Sequence, residues 1–521
     1  MKTFKSFIAL LLLFVLVFAS CSRDSKEAGG KTLVIANTSG EPGNLHPFNT
    51  VSVGSSFSFL LIMETLVCNG LEGGFDPMLA KSWDVKDDGI TFYLEQGVKF
   101  HDGTELKASD VVFTFQEIIL NSTGGYAANL SAVNVNNVRA IDDYTVFVGF
   151  NQSDTTIMSH MPNIYIVPEK TYKEMGDRFQ FQPIGTGPFK FNSWLVGDNI
   201  TMERFNDYRL GTPIIETVII RTIPEVSQAM IELETGGVHI IPSPAGSDVL
   251  RVLNNQVNGI KALTSNSAIL RNNNININWL SEPLRDHRVR EAIARAVDRE
   301  LWVPIISPGV GSPAYSLVAS GTWGWDPGTG YDYPYPYDLA KARQLLEEAG
   351  YGNGLRLILL TGTRDYHMRT VELLQFSLSQ IGITLEVRTM ELAPQRELMA
   401  SGEGFDLYTL DNLTMSPGNF LSGIWRDAHP RFAEKNSSHF HFYTVNDAQG
   451  QRFSDLMDSI AITMDDNERL QQARELQKIF IEDLVWIPVN SIQQFALVTD
   501  RLQNAIMRAT ALFINEKTQL N

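Results

Sequence analysis

The sequence is poor in cysteine and lacks the signatures of the common catalytic sites. Its 521 residues include only two cysteines, so at most one disulfide can form within the chain. The G-x-S-x-G, H-E-x-x-H, C-x-x-C and G-x-x-x-x-G-K patterns are all missing from it. Gly185-Thr-Gly187 is followed by proline, which is typical of a turn and not of a nucleotide-binding loop. We therefore expect neither enzymatic activity nor a bound cofactor.

Positive charge is scarce as well. The chain has 42 lysines and arginines against 59 aspartates and glutamates, a formal net charge of -17. Loss of Lys2 and Lys5 with the N-terminal segment would bring it to -19. Such a surface repels nucleic acid and anionic membranes, so we expect neither as a partner, although the charge is also explained by solubility alone.

Only one long apolar run is present, Phe7 to Phe18 near the N-terminus. It is shorter than the roughly 20 residues that span a bilayer, but it is typical of a secretory signal peptide. Small residues followed by Cys21 match the bacterial lipobox, in which that cysteine is acylated. We predict a signal peptide at 1–20, a lipidated tether at 21–31 and an unpaired, buried Cys68. An uncleaved anchor helix, or an ordinary signal peptide with a chance cysteine, is the alternative.

The remaining chain, of about 500 residues, is too long for one hydrophobic core and predicts two or three domains. Short strands and Asp-Gly turns between residues 82 and 103 predict hairpins. The second half is richer in helices, and its strand at 355–360, helix at 369–380 and strand at 383–387 predict a βαβ-like unit. The expected fold class is α/β.

His439 and His441 form a candidate metal site. They stand two residues apart in Ser-His-Phe-His-Phe-Tyr and would project from one face of a strand. Two imidazoles on one face can ligate a metal, but a polar strand face explains them equally simply. We favour the second interpretation and assign no metal.

Aromatic residues cluster between positions 323 and 337. Trp323 and Trp325 flank Gly324, and several tyrosines follow. Rings with polar tips suit a cleft that receives a ligand. Packing of an irregular segment onto the rest of the protein is the alternative.

Several segments resemble a known family. Residues 79–115 read LAKSWDVKDDGITFYLEQGVKFHDGTELKASDVVFTF. This string is similar to the signature of the family 5 extracellular solute-binding proteins, the oligopeptide, dipeptide and nickel binding group. Further matches follow in order, namely EPGNLHPF, METLV, PIGTGPFKF, DHRVREAIARAVDRE, YDLAKARQLLEEAGY, IGITLEV and FDLYTL. The resemblance covers most of the chain after the N-terminal segment.

The resemblance implies a three-lobe (cluster C) version of the type II periplasmic binding protein fold, with the ligand cleft between two major lobes. The implied boundaries are 32–75 with 187–282 and 488–521 for lobe I, 76–186 for lobe II and 283–487 for lobe III. Ligand would bind between lobes I and III of a monomer. The implied partners are the permease subunits of an ABC importer with their cytoplasmic ATPase, at the periplasmic or outer face of a membrane.

The ligand is less certain than the family. Peptide binders of this family hold the α-amino group of the peptide with the aspartate of a Trp-x-x-Asp pattern. Alignment of the loop from Tyr408 onward places Leu410 at the tryptophan and Leu413 at the aspartate, so that only a change of register would let Asp411 substitute. An oligosaccharide binder would instead use amides and aromatic platforms. The residues of the sequence that would suit this role are Asn412, Trp323, Trp325 and Trp425.

Two other classes of function stay open. Carboxylates are abundant, so a hydrolase with a carboxylate pair on the same scaffold is one alternative. A surface lipoprotein that acts through protein contacts is the other. Capture of a peptide or a similar small solute is the leading hypothesis.

Overall fold

A computed structural model describes residues 31–49, 53–71, 74–122, 126–154, 156–264, 270–316, 318, 324, 333–390, 392–413, 448–463, 465–508 and 511–521. Within these ranges the chain contains both helices and strands, as expected for an α/β protein. The helices are α1 Val53–Ile62, α2 Ala108–Asn121, α3 Tyr126–Asn129, α4 Glu169–Met175, α5 Val226–Thr235, α6 Gly246–Leu253, α7 Glu282–Arg285, α8 His287–Arg295, α9 Arg299–Ile306, α10 Leu339–Glu348, α11 Asp365–Gln380, α12 Leu392–Ser401, α13 Ala448–Ile462 and α14 Asp466–Glu482.

The strands form three larger sheets and three small pairs among the described residues. The strands are β1 Thr32–Asn37, β2 Val67–Asn69, β3 Phe75–Pro77, β4 Ala80–Lys86, β5 Gly89–Leu94, β6 Val133–Asp142, β7 Thr145–Phe150, β8 Phe189–Leu195, β9 Asn199–Arg204, β10 Thr217–Thr222, β11 Ile240–Ile241, β12 Ile260–Thr264, β13 Leu270–Ile277, β14 Gly311–Pro313, β15 Leu355–Thr361, β16 Ile383–Thr389, β17 Leu407–Leu413, β18 Trp486–Gln493, β19 Phe495–Thr499, β20 Leu502–Gln503, β21 Ile506–Arg508, β22 Ala511–Phe513 and β23 Gln519–Leu520.

The N-terminal sheet has the strand order β12-β19-β11-β1-β10-β9-β8. β1 lies near its centre and is parallel to both β10 and β11. Leu33 and Ile35 pack into one apolar cluster, while Val34 and Ala36 contact another on the opposite face. Burial on both faces explains why this strand is continuously apolar in the sequence.

The C-terminal sheet has the order β14-β18-β13-β17-β15-β16. β15 and β16 are parallel and joined by α11, which confirms the predicted βαβ unit. The helix begins at Asp365, about one turn before the predicted start. Two helices of the C-terminal half begin after aspartate caps, since Asp286 accepts a hydrogen bond from the backbone N–H of Arg288 and Asp338 accepts one from that of Lys341.

The hairpin sheet has the order β4-β5-β7-β6, and all its neighbouring strands are antiparallel. Its inward side chains, such as Ile90 and Phe92, belong to the same apolar cluster as Leu33 and Ile35 of the N-terminal sheet. The hairpin sheet and one face of the N-terminal sheet therefore share a continuous core.

Sheet membership differs from the predicted lobe boundaries at two strands. β13, Leu270–Ile277, lies within the range assigned to lobe I, but it pairs with β17 and β18 in the C-terminal sheet. Most of β18, up to Gln493, also lies in the range assigned to lobe I and belongs to the C-terminal sheet. The chain passes from one sheet to the other between residues 264 and 270, and again at Gln494. Each strand is assigned to the sheet with which it forms hydrogen bonds. The three-lobe division itself stays a prediction.

The turn around Gly185, directly before β8 of the N-terminal sheet, contacts both the turn at His101 and the end of α1. Gly185 accepts a hydrogen bond from the backbone N–H of His101 (2.9 Å), and Gly187 donates one to the carbonyl of Ile62 (2.9 Å). A Cβ on Gly185 would lie 2.2 Å from the Ile62 carbonyl oxygen, which is backbone and cannot rotate away. Glycine is required here because the two chain segments touch.

We expect Gly185→Ala to lower the free energy of unfolding by about 1–3 kcal/mol through overpacking. Gly43→Ala is the matched control, since a Cβ at Gly43 meets nothing within 4 Å and Gly43 has no positive φ. The control should stay within about 0.5 kcal/mol of the parent. Urea titration followed by circular dichroism measures both, and equal losses in the two variants would contradict the steric explanation.

Candidate functional site

Two short connections join the N-terminal sheet to the C-terminal sheet. β18 ends at Gln493 and β19 begins at Phe495, so Gln494 alone lies between the sheets in this connection. In the other, β12 ends at Thr264 and β13 begins at Leu270. The Thr264 hydroxyl donates to the Gln494 carbonyl (3.0 Å) and accepts from the side-chain amide of Gln493 (3.0 Å). Two short connections of this kind, hydrogen-bonded side by side, are typical of a hinge between two bodies. The N-terminal body is the N-terminal sheet with the helices packed on it, and the C-terminal body is the C-terminal sheet with its helices.

The carboxyl ends of the parallel strands in both sheets lie toward this joint. In the N-terminal sheet β1, β10 and β11 are parallel, and β19 starts at their carboxyl end because it is antiparallel to β11. In the C-terminal sheet β15 and β17 are parallel, and β13 starts at their carboxyl end because it is antiparallel to β17. Ligands of open α/β sheets bind outside the carboxyl ends of the strands. The space between these two edges is therefore the candidate ligand cleft.

A closed turn forms the N-terminal side of this cleft. The side-chain amide of Asn37, at the end of β1, donates to the Gly40 carbonyl (2.7 Å), and its oxygen accepts from the backbone N–H of Ser39 (3.0 Å). Thr38 donates to the carbonyl of Ser243 (3.5 Å), in the loop that follows β11. The loops after two parallel strands are thus tied to each other.

Glu41 fixes the same edge to the outer strands of the N-terminal sheet. One carboxylate oxygen accepts from the indole N–H of Trp194 (2.7 Å) and the other from the hydroxyl of Thr222 (2.8 Å). Thr222 is the last residue of β10. With each oxygen held by a neutral donor, Glu41 acts as a structural part of the edge.

On the C-terminal side of the cleft, the hydrogen bonds at the strand ends are made by buried hydroxyls and a side-chain amide, which are uncharged. The hydroxyls of Thr361 and Thr409 lie 2.8 Å apart, and both side chains are fully buried. The side-chain amide of Gln395, on α12, donates to the Thr409 carbonyl (3.2 Å). Thr361 is the last residue of β15, whereas β17 continues to Leu413. The end of β17 therefore extends past its parallel neighbour, at the edge that borders the cleft.

Buried asparagines hold the strand on the other side of β17. The side-chain amide of Asn273 donates to the Thr370 hydroxyl (2.8 Å) and to the side-chain oxygen of Asn490 (3.0 Å). Asn490 in turn donates to the hydroxyl of Ser307 (2.9 Å). The network ties β13, β18, α9 and α11 together directly behind the end of β17. Such support makes the geometry of a site on a strand reproducible.

This buried hydrogen-bond network was not predicted from the sequence. The signal was present, because asparagine is disfavoured in strand interiors and β13 with the residue after it contains five buried ones. They are Asn272, Asn273, Asn274, Asn276 and Asn278. The sequence pattern predicted the strand but not the need for a polar network on it.

Comparison with protein families decides the identity of this fold. The model of the bacterial extracellular solute-binding proteins, family 5, matches residues 74–430. The chain belongs to this family. The expected α/β fold of the type II periplasmic binding proteins is thereby confirmed.

Proteins similar to this chain match it over 79–94% of its length. Heme-binding protein A of Haemophilus influenzae is 24% identical, with 94% of each chain covered. Glutathione-binding protein GsiB of Escherichia coli K12 is 29% identical, over 79% of this chain and 80% of its own. The periplasmic binding protein DppA of Helicobacter pylori, in complex with the peptide STSA, superimposes with a TM-score of 0.80 at 22% identity, covering 94% of this chain and 98% of its own. The last likeness concerns the fold alone.

Three of the residues that the sequence analysis named lie at the cleft edge of this family 5 protein. Asp411, Asn412 and Leu413 form the last part of β17. Asp411 pairs with Asn273 of β13 across an antiparallel ladder. The sequence predicted that these residues belong to a loop that starts at Tyr408. That interpretation was wrong as far as Leu413, because β17 continues to this residue and β13 supplies its hydrogen-bonding partners.

The other named residues lie outside the described residues. They are Cys21, Trp323, Trp325, Trp425, His439 and His441. Gly324, between the first two tryptophans, is described, and its carbonyl accepts a hydrogen bond from the side-chain amide of Gln477 on α14. The backbone at that point is therefore fastened to the C-terminal body.

Two of the tyrosines that follow, Tyr333 and Tyr335, serve packing, as the alternative interpretation held for this segment. The hydroxyl of Tyr333 accepts from the guanidinium of Arg299 (2.9 Å), and that guanidinium lies 4.3 Å from the ring centroid. Tyr335 donates to the carbonyl of Glu482 (2.6 Å) and is 8% exposed. Both rings line the core of the C-terminal sheet and not the cleft.

The described ranges contain neither a candidate metal cluster nor a membrane-spanning helix. No group of three or more histidines, cysteines, aspartates or glutamates in the described ranges could hold a metal ion. No helix of the described part of the chain has the length and apolar character to span a bilayer.

A surface depression of about 530 Å³, lined by Lys81, Tyr93, Gln96, residues 142–144 and Thr145, lies on the hairpin sheet. None of these lining residues lies on a strand or loop that borders the cleft, so the depression is separate from the candidate ligand site.

Proposed function

We propose that the chain captures a small solute for an ABC importer and performs no chemistry on it. The observation that carries this proposal is the meeting of two carboxyl edges at a joint of two short strand crossings. That arrangement supports closure of the two sheets around a ligand and its release when they separate. Membership of a family of solute-binding proteins supports the same conclusion.

The N-terminal segment extends this proposal to location and partners. Export by the signal peptide 1–20 and acylation of Cys21 would hold the protein at the membrane by a tether over 21–31. A monomer in this position would meet the permease subunits, whose cytoplasmic ATPase drives import. The negative net charge of -17 fits a soluble body kept away from anionic headgroups.

A peptide is the ligand class that we propose first. Similar proteins carry the names glutathione-binding and dipeptide-binding protein. A buried α-amino group needs an anionic partner. Asp411, which belongs to the last part of β17, is the residue that we propose for this role. The hydroxyls and amides that support this edge are neutral, which also suits an oligosaccharide held with Asn412 and the tryptophans 323, 325 and 425.

A thermal-shift panel tests the proposed function. The panel contains di- to tetrapeptides, reduced glutathione, heme and neutral oligosaccharides. A ligand at about 100 times its dissociation constant stabilises the folded state by about 2.7 kcal/mol. Stabilisation by peptides supports the proposal, stabilisation by oligosaccharides alone would replace the ligand class, and turnover of any bound compound would refute the absence of chemistry.

Asp411→Asn tests the amine anchor. We expect it to weaken peptide binding by about 1.5–3 kcal/mol, or roughly 10- to 150-fold, because a charge-assisted hydrogen bond is lost. Isothermal titration with the tightest peptide of the panel measures this loss. Asp500→Asn, at an exposed position beyond β19, is the control variant and should bind as the parent does.

The N-acetylated form of the same peptide provides a second control. It lacks the ammonium group, so the parent and Asp411→Asn should bind it equally weakly. Unchanged affinity of Asp411→Asn for the free peptide would show that Asp411 is not the anchor.

A further inference from the structure

A second contact joins the two bodies beside the strand crossings. Residues 307–311 connect α9 to β14 in the C-terminal body, and the carbonyl of Val310 accepts from the backbone N–H of Gln493 (2.9 Å). The side chain of Val310 packs against an apolar cluster of the N-terminal sheet that includes Val249 and Val252 of α6. A partly buried side chain of one body thus packs against an apolar cluster of the other.

The fit at this contact is close. A Cβ on Gly246, the first residue of α6, would lie 3.0 Å from Cγ2 of Val310. A Cβ on Gly309 would lie 2.4 Å from Cδ1 of Leu250. The two backbones can approach this far only because each presents a glycine to a side chain of the other.

The contact lies between the two sheet edges that border the cleft. α6 follows β11 at the carboxyl edge of the N-terminal sheet, and β14 starts at the carboxyl edge of the C-terminal sheet because Gly311 pairs with Ile492 near the end of β18. Both elements thus leave the two edges that border the cleft. Because the contact lies between these edges, their separation would draw α6 away from residues 307–311.

We propose that the contact between α6 and residues 307–311 stabilises the closed arrangement relative to the open one, and thereby raises the affinity for ligand. The contact is distinct from the ligand site on β17, and the inference rests on the proposed function only for its effect on affinity. When only a fraction of the protein is competent to bind, the apparent dissociation constant rises in inverse proportion to that fraction. Weakening the contact therefore weakens binding without touching the ligand.

Two substitutions, both on α6, weaken the contact in different ways. Gly246→Leu inserts a side chain between α6 and Val310, and Leu250→Ala removes the side chain that meets Gly309. Ser247→Leu is the matched control, since it adds the same apolar side chain to α6 at an exposed position.

Spin labels report the separation of the two bodies without any ligand. They are placed at Ser193→Cys on β8 and Glu347→Cys on α10, which are both exposed. Cys21→Ser in every variant leaves only the introduced thiols accessible, because Cys68 is buried. We expect Gly246→Leu and Leu250→Ala to shift the distance distribution to longer values, and Ser247→Leu to reproduce the parent. An unchanged distribution in both variants would overturn the proposal.

Titration with the tetrapeptide Ser-Thr-Ser-Ala measures the linked effect on affinity. We expect a dissociation constant three- to tenfold higher in the two contact variants and unchanged in the control. Unchanged or tighter binding in both would overturn the assignment of the contact to the closed arrangement. Absence of binding even by the parent would count against this peptide as ligand and leave the distance measurement to decide on the contact.

Discussion

Replacement of Arg209 by methionine is expected to lower the free energy of unfolding by about 3–5 kcal/mol, because it leaves a buried carboxylate without its cation. Arg209 Nε and Nη2 lie 3.0 and 2.9 Å from Oε1 of Glu64, whose side chain is 3% exposed. Tyr208 donates a further hydrogen bond to the same oxygen (3.2 Å). Burial disfavours the charge on Arg209, but the neighbouring Glu64 outweighs it and raises the pKa of the guanidinium.

Urea titration of the parent and variant measures the loss. Lys31→Met is the matched control, because the Lys31–Glu216 pair has a similar separation (2.7 Å) but is exposed on both sides. An exposed pair contributes about 0–1 kcal/mol, so the control should change little. Losses of the same size in both variants would show that burial of the Glu64 carboxylate does not decide the effect.

The free energy of unfolding is also expected to fall by up to about 3 kcal/mol between pH 6.5 and pH 4 through His101. Burial lowers the pKa of this imidazole to about 4, against an opposing hydrogen bond to the Gly187 carbonyl. The neutral ring fits its surroundings, since Nε2 lies 2.9 Å from that carbonyl and Nδ1 accepts from the backbone N–H of Gly185 (3.4 Å). Protonation would remove the acceptor and place a charge at the junction of the hairpin and N-terminal sheets.

The sign of the pH dependence follows from proton binding. In the unfolded chain a histidine binds a proton near pH 6.5, whereas folded His101 does so only near pH 4. Between these values the unfolded state holds more protons, so stability decreases as the pH falls. The contribution is fully present above pH 6.5 and is lost as the pH reaches 4.

Unfolding free energies of the parent and of His101→Gln, measured every half pH unit from 7 to 4, test this prediction. The variant keeps a side-chain amide at this position but cannot titrate. Its curve should be flatter than that of the parent by about 1.4 kcal/mol per pH unit within the window. Parallel curves would show that another group carries the acid sensitivity.

Local sequence predicted individual elements well because local chemistry builds them. Asp286 and Asp338 cap the helices that begin directly after them, and Gly236 ends α5 in a left-handed conformation with φ of 83°. The apolar run of β1 fits its burial between two clusters, one on each face. These features depend on neighbours in the chain, so the sequence contains them directly.

Predictions that depended on long-range partners were less accurate. The segment from Tyr408 onward was expected to be a loop, but pairing with β13 makes it part of β17 as far as Leu413. β13 itself was assigned to the wrong side of the joint, since only its hydrogen bonds to β17 and β18 reveal the sheet to which it belongs. Asn273 and Thr409 were not recognised as supports of the cleft edge because their partners are distant in sequence.

The sequence by itself determined the α/β class and the family, through motifs that recur in order, and it predicts export and lipidation from residues 1–21. Only the tertiary structure decided how the two carboxyl edges meet, which strands cross between them and which residues touch beside the joint. Crossing strands and glycine contacts such as that of Gly309 with Leu250 join residues that are far apart along the chain. The chain must fold before such residues become neighbours, and their contacts leave no periodic pattern in the sequence.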